Sequence, residues 1–139
     1  MADEHDKLTA EVLTPEGEVF SGELEMVSTR TTTGEVGILA RHVPMVARLV
    51  PAELRLHTSS SEVESYAQGE GWLEVFANRA RVLVAEAVPP DELDVSDLKS
   101  RLSDAEQALS EAEEGSAAAE QAERQRARAE AFIKIAENR

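Results

Sequence analysis

The sequence has no cysteine, and only three Phe, one Trp and one Tyr among 139 residues. Without cysteine, disulfides, thiol nucleophiles and zinc–thiolate centres are excluded, which suits a reducing compartment. So few aromatics leave the core to aliphatic side chains. Positive charge is also scarce: 14 Lys+Arg face 28 Asp+Glu, and 14 − 28 gives a net charge of −14 at neutral pH. That balance repels phosphate backbones and argues against general nucleic-acid binding. No apolar run approaches the roughly 18–20 residues needed to span a bilayer. The opening Met1-Ala2-Asp3-Glu4-His5-Asp6-Lys7 has neither a positive start nor an apolar stretch. No secretory signal is therefore expected.

What remains is enough to fold. At 42% hydrophobic residues the chain can build a core, and its length allows one domain, or one small domain plus an appendage. The composition changes sharply near residue 90. Twelve of thirteen Val, six of seven Gly and all five Pro lie in residues 1–90; the last 49 residues hold eleven Ala. β-Branched side chains fit a pleated surface, whereas Ala and Glu cost little in a helix. The expected fold is α+β: an N-terminal β-sandwich of about ten short strands over 1–88, then an antiparallel two-helix hairpin over 91–139. Pro89-Pro90 is expected to be the hinge, because neither a central strand nor a helix interior tolerates that pair.

The strands are read from alternation. Leu8-Thr9-Ala10-Glu11-Val12 alternates and Thr14-Pro15-Glu16-Gly17 turns it. Leu24 and Met26 are expected on one face, opposite Glu23 and Glu25; Leu54 and Leu56 share another, opposite Arg55 and His57. Val63–Ala67 and Leu73–Phe76 alternate as well, and Thr58-Ser59-Ser60-Ser61 suits a hairpin tip. Val82-Leu83-Val84-Ala85 is continuously apolar and suggests a strand buried on both sides. In the helical part, Leu98, Leu102, Ala105, Leu109 and Ala112 recur at 4, 3, 4, 3 and share one face. Gly115-Ser116 ends that helix and starts another, from about Ala117 to Glu137. Ala118, Ala122, Ala129, Phe132, Ile133 and Ala136 are expected to form its packing face. Such an alanine-rich hairpin buries little apolar area, which makes it a candidate moving part.

Signatures of catalysis are few. No phosphate-binding loop precedes Lys7, Lys99 or Lys134, Gly69-Glu70-Gly71 is no dinucleotide fingerprint, and no nucleophile elbow occurs. His5, His42 and His57 lack the paired spacing of a metal site, with His5 read as a terminal residue and His57 as lying on a solvated strand face. The carboxylates read as a solvated surface. No catalytic, cofactor-binding or metal-binding residue is assigned.

One segment stands out. Gly34-Glu35-Val36-Gly37-Ile38-Leu39-Ala40-Arg41-His42-Val43-Pro44 sets two Gly, a Pro and a His around an apolar pair, so its backbone is expected to turn twice. Physically it reads as a shaped loop between strands that presents Glu35 and His42, or as a structured turn in which His42 is bonded internally.

This segment resembles the Gly-Glu-x-Gly-Ile-Leu-Pro-x-His-x-Pro pattern of the epsilon subunit of F-type rotary ATP synthases, departing from it at Ala40, where that family has Pro. Thr14-Pro15-Glu16 with Val19-Phe20-Ser21-Gly22 is similar to that family's opening strands. Gly69-Glu70-Gly71-Trp72-Leu73-Glu74-Val75 is similar to a later strand, with Glu70 and Trp72 as departures, and Val82–Ala87 to the strand after it. The likeness runs in order through residues 8–139.

The resemblance implies a non-catalytic subunit on the central stalk of a proton-transporting ATP synthase. It would be peripheral, at the cytoplasmic face of a bacterial cell membrane. By resemblance, the sandwich holds the gamma subunit and touches the membrane ring, with Glu35 facing the ring's polar loops and His42 near gamma, and with Arg41 as a further candidate partner-binding residue. In that family the hairpin folds against the sandwich or extends along gamma into the alpha/beta head, and when extended it would suppress ATP hydrolysis. Arg124 and Arg128 lie four apart on one helix face and are the candidate head contacts; Arg126 and Lys134 share another. Against this, Glu120–Arg124 and Arg126–Glu130 are also spaced as solvated helix pairs. Some members bind ATP through Ile/Leu-Asp-x-x-Arg-Ala. Here Leu93-Asp94-Val95-Ser96-Asp97-Leu98 puts Asp97 in place of the Arg, so ATP binding is not expected and Asp94 reads as a helix cap. The rival readings are an unrelated sandwich module with a helical dimerisation hairpin, and a small enzyme whose site forms only in three dimensions.

Overall fold

The computed structural model describes residues 6–138; His5 and the rest of the first five residues lie outside it. The chain divides between Val88 and Pro89 into two compact units.

The first unit is the expected ten-stranded sandwich. Its strands are β1 Leu8–Thr14, β2 Gly17–Leu24, β3 Met26–Thr31, β4 Gly34–Leu39, β5 Met45–Leu49, β6 Ala52–His57, β7 Val63–Gln68, β8 Gly71–Phe76, β9 Arg79–Val84 and β10 Ala87–Val88. They hydrogen-bond in the order β10-β7-β6-β3-β5-β8-β9-β1-β2, with β4 on the other side of β3. All pairs are antiparallel except β1 with β9. Leu8, Ala10 and Val12 point inward, as their alternation requires, and meet Leu24, Val27, Ile38, Leu49, Leu54, Leu56, Leu73, Val75 and Val82 in one aliphatic core. Gly71 has no substitute at its position: a Cβ there would lie 1.9 Å from the Leu83 carbonyl oxygen.

Three strand expectations are corrected. Leu24 and Met26 do not share a continuous face. The chain bends at Glu25, which resets the alternation, so Val27, Thr29 and Thr31 are the buried residues of β3 while Met26 is only half-buried. Val63 is exposed, and β7 buries Ala67 and Gln68 at its far end, where Gln68 Nε2 donates to the Val50 carbonyl at 2.9 Å. β9 is not buried on both sides. It alternates, with Ala80, Val82 and Val84 inside, Leu83 half-buried and Ala85 exposed.

In the second unit, Pro90 is buried and opens a 3-10 turn, Pro90–Glu92. Helix α1 spans Val95–Glu111 and α2 spans Ala117–Glu137. Asp94 caps α1 by accepting the Asp97 N–H at 3.1 Å, and Ser116 caps α2 by accepting from Ala119 at 3.1 Å. Gly115, at φ +79°, supplies the left-handed residue of the turn between them. Leu98 and Ala105 of α1 are buried, as are Ala122, Ala129, Phe132 and Ile135 of α2. The expected α2 face is thus partly wrong. Ala118 is exposed because α2 has just begun, and Ile135, one turn from Phe132, is more buried than Ile133. Arg126 forms its ion pair with Glu123, three residues back, and not as expected with Glu130. Lys99 and Glu137 join the two helices at 3.4 Å.

Candidate docking surface

The segment singled out by its glycines is mostly a strand. Gly34–Leu39 is β4, and the turns lie at its two ends, at Thr32-Thr33 and Ala40-Arg41. The first turn is tied by Thr31, whose hydroxyl donates to the Gly34 carbonyl at 2.9 Å and accepts the Thr33 N–H at 3.1 Å. Glu35 follows it, 76% exposed, with its carboxylate 2.7 Å from the Arg30 guanidinium on the neighbouring strand. The reading of one loop presenting both Glu35 and His42 is therefore corrected. Four strand steps from Glu35 to Leu39 alone put the two ends roughly 13 Å apart.

At the other end Arg41 has φ +62°. Its N–H donates to Asn78 Oδ1 at 2.8 Å, and its guanidinium grips the Asp6 carboxylate at 2.7 and 2.5 Å. Those hydrogen bonds hold the Asp6 carboxyl below the usual carboxylate range. Arg41 thus fastens three segments together. His42 is half-buried, and its Nδ1 lies 2.7 Å from the Val43 carbonyl, which fixes the ring. His57, expected on a solvated face, is also half-buried, with Nε2 at 3.2 Å from Ser28 Oγ.

Beyond His42 lies a surface that the sequence reading missed. Val46, Trp72 and Phe76 are 68%, 47% and 59% exposed. The register aligns them on the outer side of β5, β8 and β9: Arg48 opposite Trp72 opposite Leu83, Val46 opposite Glu74 opposite Arg81, and Phe76 opposite Arg79. The Arg48 guanidinium lies 5.6 Å from the Trp72 ring centre. Arg81 bridges Glu11 at 3.1 Å and Glu74 at 3.8 Å. Aromatic and arginine side chains around an apolar centre are the composition of interface anchors. The signal was in the alternation itself. With Leu73 and Val75 inside, Trp72 and Phe76 must face out.

In the helical unit Arg124 is exposed and lines a cleft of about 710 Å³ with Leu109, Ala112, Ala119 and Glu120. Arg128 is half-buried, its guanidinium 4.5 Å from the Phe132 ring centre. The described residues contain no cluster of three metal-ligating side chains, and no described helix is long and apolar enough to cross a membrane.

The sandwich thus turns apolar and aromatic side chains outward, with the composition of an interface, and the chain continues into two helices. Residues 7–90 match the model of the ATP synthase delta/epsilon chain β-sandwich domain. The chain is 33% identical over 126 residues to an ATP synthase epsilon chain of a Sulfurihydrogenibium species, covering 91% of this chain and 94% of that one. It is 45% identical over 85 residues to that of Priestia megaterium, covering 61% and 63%. The fold is shared with a chain of the Euglena gracilis mitochondrial ATP synthase, at a TM-score of 0.81 and 22% identity, covering 93% and 81%. It is also shared with a central-stalk and ring structure from Tetrahymena thermophila, at 0.61 and 15%, covering 92% and 95%. The chain belongs to the ATP synthase delta/epsilon chain family, as an epsilon-type member.

Proposed function

We propose that this chain is a rotor subunit of a proton-transporting ATP synthase, peripheral at the cytoplasmic face of a bacterial membrane. Its sandwich clamps the gamma subunit to the membrane ring, and its hairpin restrains ATP hydrolysis. The observation that carries the reading is the 126-residue likeness to an epsilon chain, which at that length must run from the sandwich into the hairpin. The outward Val46–Trp72–Phe76 face is the gamma contact, with His42 at its margin. Glu35, at the far end of β4, faces the ring. A sandwich suits this role because its strands are cross-bonded on both layers and transmit torque with little local deformation.

The hairpin's part rests on Arg124 and Arg128, cations on a helical unit that can meet acidic segments of the alpha/beta head. The chain works without a nucleotide of its own. Asp97, standing where nucleotide-binding members have a cation, is paired with Arg101 at 2.8 Å, and an added triphosphate would meet a carboxylate there. Two experiments test the reading. Tagged chain purified from membranes should bring down gamma and ring subunits; failure to do so sinks the rotor role. Removing residues 91–139 should leave that capture intact and raise ATP hydrolysis by the assembled enzyme. Unchanged hydrolysis removes the restraining role alone. Calorimetry with ATP should detect no binding tighter than about 1 mM.

A further inference from the structure

The sandwich has edges, and two of them are guarded. β2 carries Glu18 and Glu23, and its pairing with β1 is interrupted by a register shift beside Val12 and Leu13. The edge made by β7 and the two-residue β10 carries Glu64 and runs into Pro89-Pro90. Charge, bulges and proline are the usual means of stopping an edge from recruiting another strand. β4 has no proline and no bulge, and its single charge, Glu35, lies at one end, 76% exposed beside Arg30. Among the described residues β4 pairs only with β3, and its register is unbroken from Leu39 to Gly34.

The direction of its backbone groups follows from the register. The Arg30 carbonyl accepts from Val50 N–H at 3.3 Å, so it points away from β4. Arg30 and Glu35 are therefore a pair that exchanges no backbone hydrogen bond, and alternation makes Ser28–Gly37 and Met26–Leu39 the same. The N–H and C=O of Glu35 and Gly37, and the N–H of Leu39, are turned to the open side. The Leu39 carbonyl is taken by His42 N–H at 3.2 Å. The side chains flanking these groups are a carboxylate at one end, no side chain in the middle, and a leucine 57% exposed at the other.

We infer that β4 is a strand-addition site for an extended segment of a partner polypeptide, running antiparallel, with an apolar residue beside Leu39, a bulky one over Gly37 and a Lys or Arg beside Glu35. A second copy of this chain does not fit. Two β4 strands paired about Gly37 would set each Glu35 against the other's exposed Leu39, between molecules that each carry −14. A cationic segment satisfies both ends at once, and backbone bonds supply the affinity. The inference is separate from the ring contact proposed for Glu35, because the isolated chain suffices to test it.

The probe is the acetylated, amidated heptapeptide Thr-Val-Thr-Phe-Thr-Arg-Thr, titrated into the full chain and followed by amide NMR. The expected result is a Kd below about 1 mM, with shifts centred on residues 34–39 and protection of the Glu35, Gly37 and Leu39 amides. The same peptide N-methylated at Val, Phe and Arg should bind at least about tenfold more weakly, with no change made to the protein. Gly37→Pro should do likewise, because the N–H it removes faces outward and proline is tolerated on an edge strand. Reversing the charge with Glu35→Lys should weaken the Arg peptide and favour one bearing Glu at that place. No binding at 1 mM, equal binding of the methylated peptide, or a dimer held through β4 in sedimentation would each overturn the inference.

Discussion

Arg41 and Asn78 meet across two turns: the Arg41 N–H donates to Asn78 Oδ1 at 2.8 Å, and Asn78 Nδ2 donates to the Lys7 carbonyl at 2.9 Å. One amide side chain thereby ties the end of β4, the β8–β9 turn and the approach to β1. Asn78 is also at φ +59°, a region that asparagine tolerates better than alanine. Asn78→Ala loses two hydrogen bonds and gains backbone strain, so it should destabilise the sandwich by about 2–3 kcal/mol. Asn78→Gly keeps the conformation and should cost about half as much. Urea unfolding of the full chain measures both.

Asp6 gives the same junction a pH dependence. Its native pKa lies below its unfolded value because it is bonded to Arg41. The stability this contributes is complete above the unfolded pKa and is lost as pH falls through the native one. The gap in Tm between the protein and Asp6→Asn should be steady at neutral pH and close under acid. Tyr66 has the opposite sign. Burial first, then the Glu64 carboxylate, raises its pKa above 10.0, so its contribution is present below that value and lost as pH rises through the native one. Tyr66→Phe should flatten the alkaline side of the same melting series.

Much of this fold was legible in residues of one kind. The alternation in Leu8–Val12, the Ser116 start of α2 and the helical spacing of Leu98 and Ala105 each depend on neighbours in the chain, and each recurs in the structure, but α1 stops at Glu111 with Ala112 extended beyond it, before the Gly115-Ser116 break. The misses share a cause as well. Glu25 bends the chain without a glycine or proline to announce it, so alternation carried through it puts Met26 on the wrong face. Val82–Ala85 is apolar on both sides because Leu83 lies opposite the exposed Trp72 on the outward face, and composition alone cannot separate that from a doubly buried strand. Glu35, Arg41 and His42 were legible as a special segment, but strand geometry, not motif spacing, sets Glu35 apart from the other two. Arg41 reaches Asp6 and Asn78 through contacts that no local pattern shows.

The outward face can be tested without disturbing the core. Trp72 is half in solvent and Val46 more so, and neither belongs to the buried cluster. Trp72→Ala should therefore change stability little, by about 1 kcal/mol or less, yet weaken binding to purified gamma subunit by roughly 10- to 100-fold, the effect of losing an interface anchor. Val46→Asp should do the same by placing a charge in the apolar patch. Calorimetry with the gamma subunit reads the affinity, and thermal melting reads the fold. If both variants bind as tightly as the parent, this face is not the gamma contact and the assignment must move elsewhere on the sandwich.

Arg124 and Arg128 are expected to behave differently although both are proposed to meet the head. Arg124 is exposed, so Arg124→Glu should leave helix content unchanged while raising ATP hydrolysis in the reconstituted enzyme. Arg128 lies over the ring of Phe132, which is completely buried. Arg128→Glu removes that stacking as well as the cation and should lower the hairpin's melting temperature along with its restraint. Phe132→Ala sets the scale for a purely structural loss: a large buried ring removed costs about 3–5 kcal/mol, more than a two-helix unit with an alanine-rich face can absorb. It should melt the hairpin and release hydrolysis to the level reached by deleting residues 91–139. Restraint lost in Phe132→Ala but retained in Arg124→Glu would mean that the hairpin acts by its bulk, with no charge contact to the head at that position.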